Sequence, residues 1–271
     1  MKYYDASQQR LIYIREKATA DFWDNQWKDI AEKRGDQTSN KGKGKHSSVV
    51  RITQKYLRQE DGLILEGGCG LGGHVRNLTS NGFSCIGVDY AKDTVEHLNA
   101  QYPELNIQYG DIRKLPFEDS CFVGYWSVGV IEHFWEGYQD ITKEMHRVIK
   151  PGGVLFLSFP YMNLLRRVKA KMGLYELYCG TKDENYYQFA LNKKAVINDF
   201  LNLGFNLVKQ SNSGVLFGMK DELGCGNVVE SISKLKDKNI FTKVMYYASD
   251  RVLNFFLGSL LGHTTLLVFK R

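Results

Sequence analysis

Three carboxylates stand at the ends of short apolar runs. Glu66 lies in LILEG (63–67), Asp89 closes CIGVD (85–89) and Asp111 follows NIQYG (106–110). Between the first two runs sits LILEGGCGLGGH, in which Gly68, Gly70 and Gly73 satisfy a G-x-G-x-x-G spacing, with Asp89 about 20 residues further on. A strand that turns through glycines into a helix lets a ligand come close to the backbone. That spacing alone does not choose the ligand. Glu66 does: a carboxylate two residues before Gly68 repels a pyrophosphate and attracts a cation. Asp89 suits ribose hydroxyls, and Asp111 the exocyclic amine of an adenine. The plainer alternative for Asp89 and Asp111 is a turn or cap at a strand end.

The elements that must position these acids come from the hydrophobic pattern. From Leu63 onward, apolar runs at 63–67, 85–89, 106–110, 121–128 and 153–159 alternate with helical patterns at 73–80, 92–101 and 138–148. Continuous apolar strands separated by helices predict a parallel sheet covered on both faces. Right-handed crossovers then give a doubly wound α/β fold whose ligands sit beyond the carboxyl ends of the strands. Further strands are expected at 206–211 and 264–270, with helices at 193–203 and 244–261. The segment 7–33 reads as helix from Leu11, Ile12, Ile14, Phe22, Trp23, Trp27 and Ile30, followed by a Gly/Ser/Lys-rich loop at 35–48 and a short helix at 49–58.

Taken together, these segments resemble the class I S-adenosylmethionine-dependent methyltransferases. Glu66-x-Gly68-x-Gly70-x-Gly72 looks like the first motif of that family, and Gly110-Asp111-Ile112 like its adenine-binding motif. WSVGVIEHF (126–134) is similar to the fourth-strand motif and VIKPGGVLFLSFP (148–160) to the fifth. The resemblance implies a mostly parallel seven-stranded Rossmann-like sheet. It further implies an N-terminal helical cap over residues 1–60, and a methyltransferase domain over 61–271 with acceptor-side inserts at about 161–192 and 212–262. S-adenosyl-L-methionine is the implied cofactor, with S-adenosyl-L-homocysteine as product. Its implied binding residues are Glu66, Gly68, Gly70, Gly72, Asp89, Tyr90, Gly110, Asp111, Ile112 and Ser127, with Trp27 closing over the cofactor. Trp23, Trp27 and Lys41–His46 look like a lid, and Tyr186, Tyr187 and Phe189 are expected to border the acceptor pocket.

Methyl transfer is an in-line displacement at carbon, so the protein must chiefly align the nucleophile at roughly 3 Å and exclude water. An oxygen nucleophile of high pKa also needs a base. His133, beside Glu132, is the candidate base; its alternative is a histidine packed behind the cofactor that fixes the fourth loop. Glu132, His133 and Glu136 invite a metal reading, since this segment resembles ubiquinone-pathway O-methyltransferases. Those enzymes carry an additional acidic ligand one helical turn earlier, where this chain has Gly129, so no metal is expected.

Composition narrows the function classes. A net charge of +6 over 271 residues is a mild basic excess spread along the chain, and no RNA-binding module appears. Nor does an NPPY-like amine motif follow the fourth strand. The five cysteines form no CxxC pair, and the N-terminus has no apolar signal core, so a reducing cytoplasm is the expected compartment. The expected activity is methyl transfer, at oxygen, to a small-molecule, glycan or lipid-linked acceptor. An RNA or protein methyltransferase and a non-catalytic cofactor-binding regulator are the alternatives. No nucleic-acid partner is expected. The basic stretch 164–175 with the apolar segment 244–261 suggests weak peripheral membrane contact.

Overall fold

The computed structural model describes residues 1–34, 47–235 and 240–271. The loop at 35–46, with the expected hinge at Lys41–His46, lies outside the described residues. A seven-stranded sheet organises the chain, with strand order β10-β11-β7-β6-β3-β4-β5. Its strands are β3 (Ile64–Gly67), β4 (Cys85–Asp89), β5 (Asn106–Tyr109), β6 (Phe122–Val128), β7 (Ile149–Pro160), β10 (Asn206–Ser213) and β11 (Thr264–Lys270). The pairs from β5 through β7 are parallel, and β11 runs antiparallel to both β7 and β10. β3 and β4 are buried along their whole length, as strands covered on both faces must be.

Alternation along the strands sends successive side chains to opposite faces. Tyr125 joins Leu155, Leu157 and Phe159 on one face, together with α5 (Gln139–Val148) and α7 (Lys193–Asn202). Trp126 turns to the other face, which α2 (Ser48–Thr53), α3 (Gly73–Thr79) and α4 (Lys92–Gln101) cover. There its indole stacks on Phe156 at 4.4 Å and donates to the Thr53 hydroxyl at 3.0 Å.

The N-terminus departs from the helical expectation. β1 (Lys2–Asp5) and β2 (Arg10–Ile14) form an antiparallel hairpin, and helix begins only at α1 (Ala20–Arg34). The turn chemistry explains this. The Asp5 carboxylate accepts from the backbone N–H of Ser7 and Gln8 at 3.0 and 3.2 Å and ion-pairs with Arg10 at 3.0 Å, closing an Asx-type turn. Tyr3, Tyr4, Tyr13 and β-branched Ile12 and Ile14 then favour strand. The hairpin joins two strands from the first insert, β8 (Glu176–Leu177) and β9 (Tyr186–Ala190), in a small sheet ordered β8-β1-β2-β9. The first insert also supplies α6 (Leu164–Lys171), and the second supplies α8 (Val215–Leu223), α9 (Gly226–Leu235) and α10 (Ile240–Leu261). The helix expected at 49–58 stops at Thr53, and a single 3-10 turn at Gln59–Asp61 leads to β3.

Candidate active site

The chain leaves β3 for β4 and β5 on one side, then returns to place β6 on the other side of β3. This reversal opens a crevice at the carboxyl ends of the strands. The glycine loop forms its floor. Gly68 (φ +74°) and Gly70 (φ +48°) adopt the left-handed backbone that side chains disfavour. A Cβ on Gly68 would fall 2.5 Å from Val130 Cγ2, and one on Gly70 2.8 Å from the Trp27 ring. The loop is therefore pressed between the segment after β6 and helix α1. The N–H groups of Gly68 and Cys69 donate to the Val88 carbonyl at 2.8 and 3.1 Å, and Gly70 N–H donates to Asp89 Oδ2 at 2.7 Å.

The three acids do different work. Asp89 also accepts from Ala91 N–H at 3.0 Å, and burial raises its pKa against these backbone donors. Both of its oxygens are thus fixed in direction at the end of β4, with lone pairs left for a ligand. Glu66 is spent largely on α3: one oxygen bonds His74 Nδ1 at 2.8 Å and the other accepts from Val75 N–H at 3.2 Å. Burial would depress the His74 pKa, but the Glu66 carboxylate outweighs it and the net shift is upward. Glu66 still borders the cavity, but its carboxylate also answers the first turn of the helix. Asp111, half-exposed at the mouth, is held by Arg113, whose Nη2 donates at 2.6 Å and Nε at 3.0 Å. Burial raises its pKa, but the hydrogen bonds from Arg113 outweigh that and hold the carboxyl below its usual range.

Opposite the glycine loop stands the segment after β6 with the aromatics of α1 and β9. His133 Nδ1 lies 2.7 Å from the Tyr187 carbonyl. Since a carbonyl only accepts, Nδ1 carries the proton and Nε2 keeps its lone pair. Burial holds the His133 pKa down to about 4, so the ring is neutral at physiological pH. Trp23 and Tyr187 meet the ring edge-to-face at 4.9 and 5.1 Å. Glu132 is 1% exposed, burial pushes its pKa up to about 8, and its Oε2 has no partner among the described residues. The buried Trp27 Nε1 likewise finds none. Both residues belong to the walls of the crevice, and both atoms are buried in it without a protein partner among the described residues. Asp24 fastens α1 to α4 by accepting from Thr94 N–H and Oγ1 at 2.8 and 2.6 Å.

The cavity so enclosed measures about 840 Å³. It is lined by Glu66, Gly68, Gly70, Asp89, Tyr90, Gly110, Asp111, Ile112, Trp27, Glu132 and His133. Tyr186 and Tyr187 line it as well, whereas Phe189 is buried in the core. Two residues named from the motifs lie elsewhere. Gly72, at φ +63°, caps the N-terminus of α3, and a Cβ there would face Ile107 and Leu98 in the core. Ser127 is fully buried within β6, and the chain reaches the cavity only from Val128 onward. Sequence reasoning also missed part of the lining. Ser158, Pro160, His263 and Thr264 reach it because β7 and β11 pair antiparallel, with Pro160 opposite Thr264.

The site fits S-adenosylmethionine in its particulars: an acid held in direction at the end of β4, a glycine loop with little side-chain bulk, and an indole N–H with no partner among the described residues. Comparison with known proteins agrees. Residues 65–157 match the methyltransferase domain family. A probable S-adenosylmethionine-dependent methyltransferase of Mycolicibacterium smegmatis is 37% identical over 97 residues, which is 36% of this chain and 37% of that protein. A malonyl-[acyl-carrier protein] O-methyltransferase of Enterobacter lignolyticus is 28% identical over 92 residues, 34% of this chain and 36% of the relative. The matched region thus spans a little over a third of either relative's length. Among solved structures, a SAM dependent methyltransferase from Archaeoglobus fulgidus superposes with TM-score 0.55 over 90% of this chain and 99% of its own, at 16% identity. That last likeness is one of fold. Residues 65–157 thus carry a methyltransferase domain, and over that stretch the chain is similar to a probable S-adenosylmethionine-dependent methyltransferase.

Proposed function

We propose that the chain transfers a methyl group from S-adenosylmethionine to a hydroxyl of a small-molecule, glycan or lipid-linked acceptor. The sulfonium of the cofactor supplies an activated methyl group and a good leaving group. The residues of this chain hold, orient and shield. Gly68, Gly70 and Asp89 would hold the adenosine side, and Trp27 Nε1 offers a hydrogen bond from above. Tyr90 is anchored by its hydroxyl to the Ala18 carbonyl at 3.1 Å, beside the adenine position.

One observation carries the choice of oxygen: His133 Nδ1–H is committed to the Tyr187 carbonyl, which leaves Nε2 as a proton acceptor in the cavity wall. A hydroxyl becomes far more acidic as its oxygen bonds to the incoming carbon, so a weakly basic imidazole suffices once it is positioned. The aromatic wall of Trp23, Phe134, Trp135, Tyr186 and Tyr187 suits a sugar ring or an apolar acceptor body. The name of the Enterobacter relative, an O-methyltransferase, points the same way. Seven acids line the cavity (Glu66, Asp89, Asp111, Glu132, Glu136, Asp140 and Asp183) against Lys17, Arg113 and Lys182, a balance that disfavours a polyanionic nucleic acid.

Calorimetry with S-adenosylhomocysteine and a labelled-methyl screen of hydroxylated sugars, quinols and lipids test this reading. Asp89→Ala should weaken cofactor affinity by at least about tenfold, through the lost ribose hydrogen bonds. Unchanged affinity would overturn the cofactor assignment. Label appearing only on amines would overturn the oxygen assignment, and cofactor binding without transfer to any acceptor would favour a regulatory protein.

A further inference from the structure

Helices α6 and α10 pack against each other, and each turns an apolar face to solvent. α10 holds its inner side through Asn254, whose Oδ1 accepts from Val215 N–H at 3.0 Å, through the Gly258 carbonyl, which accepts from Tyr161 Oη at 2.8 Å, and through buried Leu261. Residues at i, i+4 and i+7 define that side. The opposite side carries Met245, Val252, Phe255 and Phe256, of which Phe255 is 82% and Phe256 73% exposed. α6 buries Arg166 completely and exposes Leu164 and Val168, with the C-cap Met172 following at the same four-residue spacing. Adjacent exposed apolar side chains of this kind, led by Phe255 and Phe256, mark a docking surface.

The charges beside these faces identify what docks. Arg167, Lys171 and Arg251 are exposed at the edges of the two apolar stripes. LLRRVKAK has no acid, and the single acid of α10, Asp250, accepts from Asn254 Nδ2 on the inner side at 3.0 Å. Apolar anchors bordered by cations match the boundary of an anionic bilayer, with phenylalanines among the acyl chains and basic groups at the headgroups. A second copy of the chain fits poorly, since a two-fold contact sets this face against itself and brings its cations together without acids to answer them. Contact is at the surface: among the described residues no helix is long and apolar enough to cross a membrane.

We infer that the outer faces of α6 and α10 form a docking surface for an anionic phospholipid bilayer. The surface adjoins the active-site rim. α6 starts just after Pro160, α10 ends just before His263, and Asn163 Nδ2 ties the two by donating to the Gly262 carbonyl at 3.0 Å. Docking thus brings the cavity to the headgroup layer, where a lipid-linked acceptor would present its polar end; this consequence alone rests on the methyl-transfer reading.

Sedimentation of the full chain with vesicles tests the surface without reference to catalysis. Vesicles of phosphatidylcholine alone are compared with vesicles carrying about one-third phosphatidylglycerol, at low and high salt. The expected result is binding to the anionic vesicles that weakens with salt. Phe255→Glu with Phe256→Glu should lower the bound fraction by at least about tenfold, and Arg167→Glu with Lys171→Glu should remove the preference for anionic lipid. Unchanged thermal melts show that the variants fold. No binding at low salt, or full binding by the Phe255/Phe256 variant, overturns the inference. So does a wild-type dimer in light scattering that the same variant converts to monomer.

Discussion

Replacing Glu132 by Gln should change how stability depends on pH, by an amount the structure sets. The carboxyl is fully enclosed, and burial raises its pKa from 4.5 to about 8. A group whose folded pKa is raised gives its full contribution below 4.5 and loses it as pH climbs toward 8, because the unfolded chain ionises while the native one cannot. At 1.36 kcal/mol per tenfold change, the loss is roughly 0.8 kcal/mol at pH 5 and roughly 3 kcal/mol at pH 7. Glutamine cannot ionise and escapes the loss. Relative to wild type, E132Q should therefore gain about 2.5 kcal/mol in unfolding free energy between pH 5 and pH 7.

The comparison across pH matters more than either absolute value. A buried amide needs partners for two N–H donors and carries its own cost, but that cost is the same at both pH values and drops out. His133 works in the opposite sense: with its pKa held down to about 4, its contribution is present above 6.5 and lost as pH falls toward 4. Both proteins keep that histidine, so the wild-type-minus-variant difference isolates Glu132. Urea unfolding of the ligand-free proteins at pH 5, 6 and 7 is the assay. Parallel profiles, with the difference constant to within about 0.5 kcal/mol, would refute the enclosed, uncompensated carboxyl.

Arg166→Met should destabilise the fold by about 3–5 kcal/mol, because the fully buried guanidinium answers Glu222 at 3.0 Å and Asp221 at 3.0 Å, and its loss leaves the two acids to the partly exposed Lys2 and Lys169. Urea unfolding reads this, and a loss below about 1 kcal/mol would show that Lys2 and Lys169 compensate. Gly68→Ala should cost about 1–3 kcal/mol and abolish measurable S-adenosylhomocysteine binding, from positive φ and the 2.5 Å approach to Val130. Adding Val130→Ala should recover part of the stability; wild-type affinity in Gly68→Ala would refute the tight cradle.

The centre of the sheet was legible because β3 and β4 are buried on both faces and read as short apolar runs, with helical patterns between the strands. The hairpin was not. Leu11, Ile12 and Ile14 mimic helical spacing, and the decisive signal lies instead in the polar turn where Asp5 caps Ser7 and Gln8. A strand buried by partners far along the chain, as β2 is by β9, offers little local periodicity to distinguish it.

The same distinction divides the active site. The side assigned to the cofactor comes from a nearly contiguous stretch, Glu66 to Ile112, where each residue is fixed by its place at the end of a strand, so its positions could be named in advance. Even there the strand-end pattern did not show that Glu66 is shared with α3, whose second residue, His74, bonds the carboxylate at 2.8 Å. The opposite side is gathered from Trp23 on α1, His133 after β6, Tyr187 on β9 and His263 before β11. Its geometry depends on crossings that no local pattern encodes: His133 is aimed by a carbonyl 54 residues away, and His263 is gripped through Nδ1 by Arg166 at 2.8 Å. This division allows the N-terminal hairpin and the inserts to reshape the acceptor wall while the β3–β5 half stays intact. Much of the wall facing the glycine loop therefore comes from segments 1–34 and 161–264, outside the 65–157 stretch that matches the methyltransferase domain family, while His133, Phe134 and Trp135 come from within that stretch.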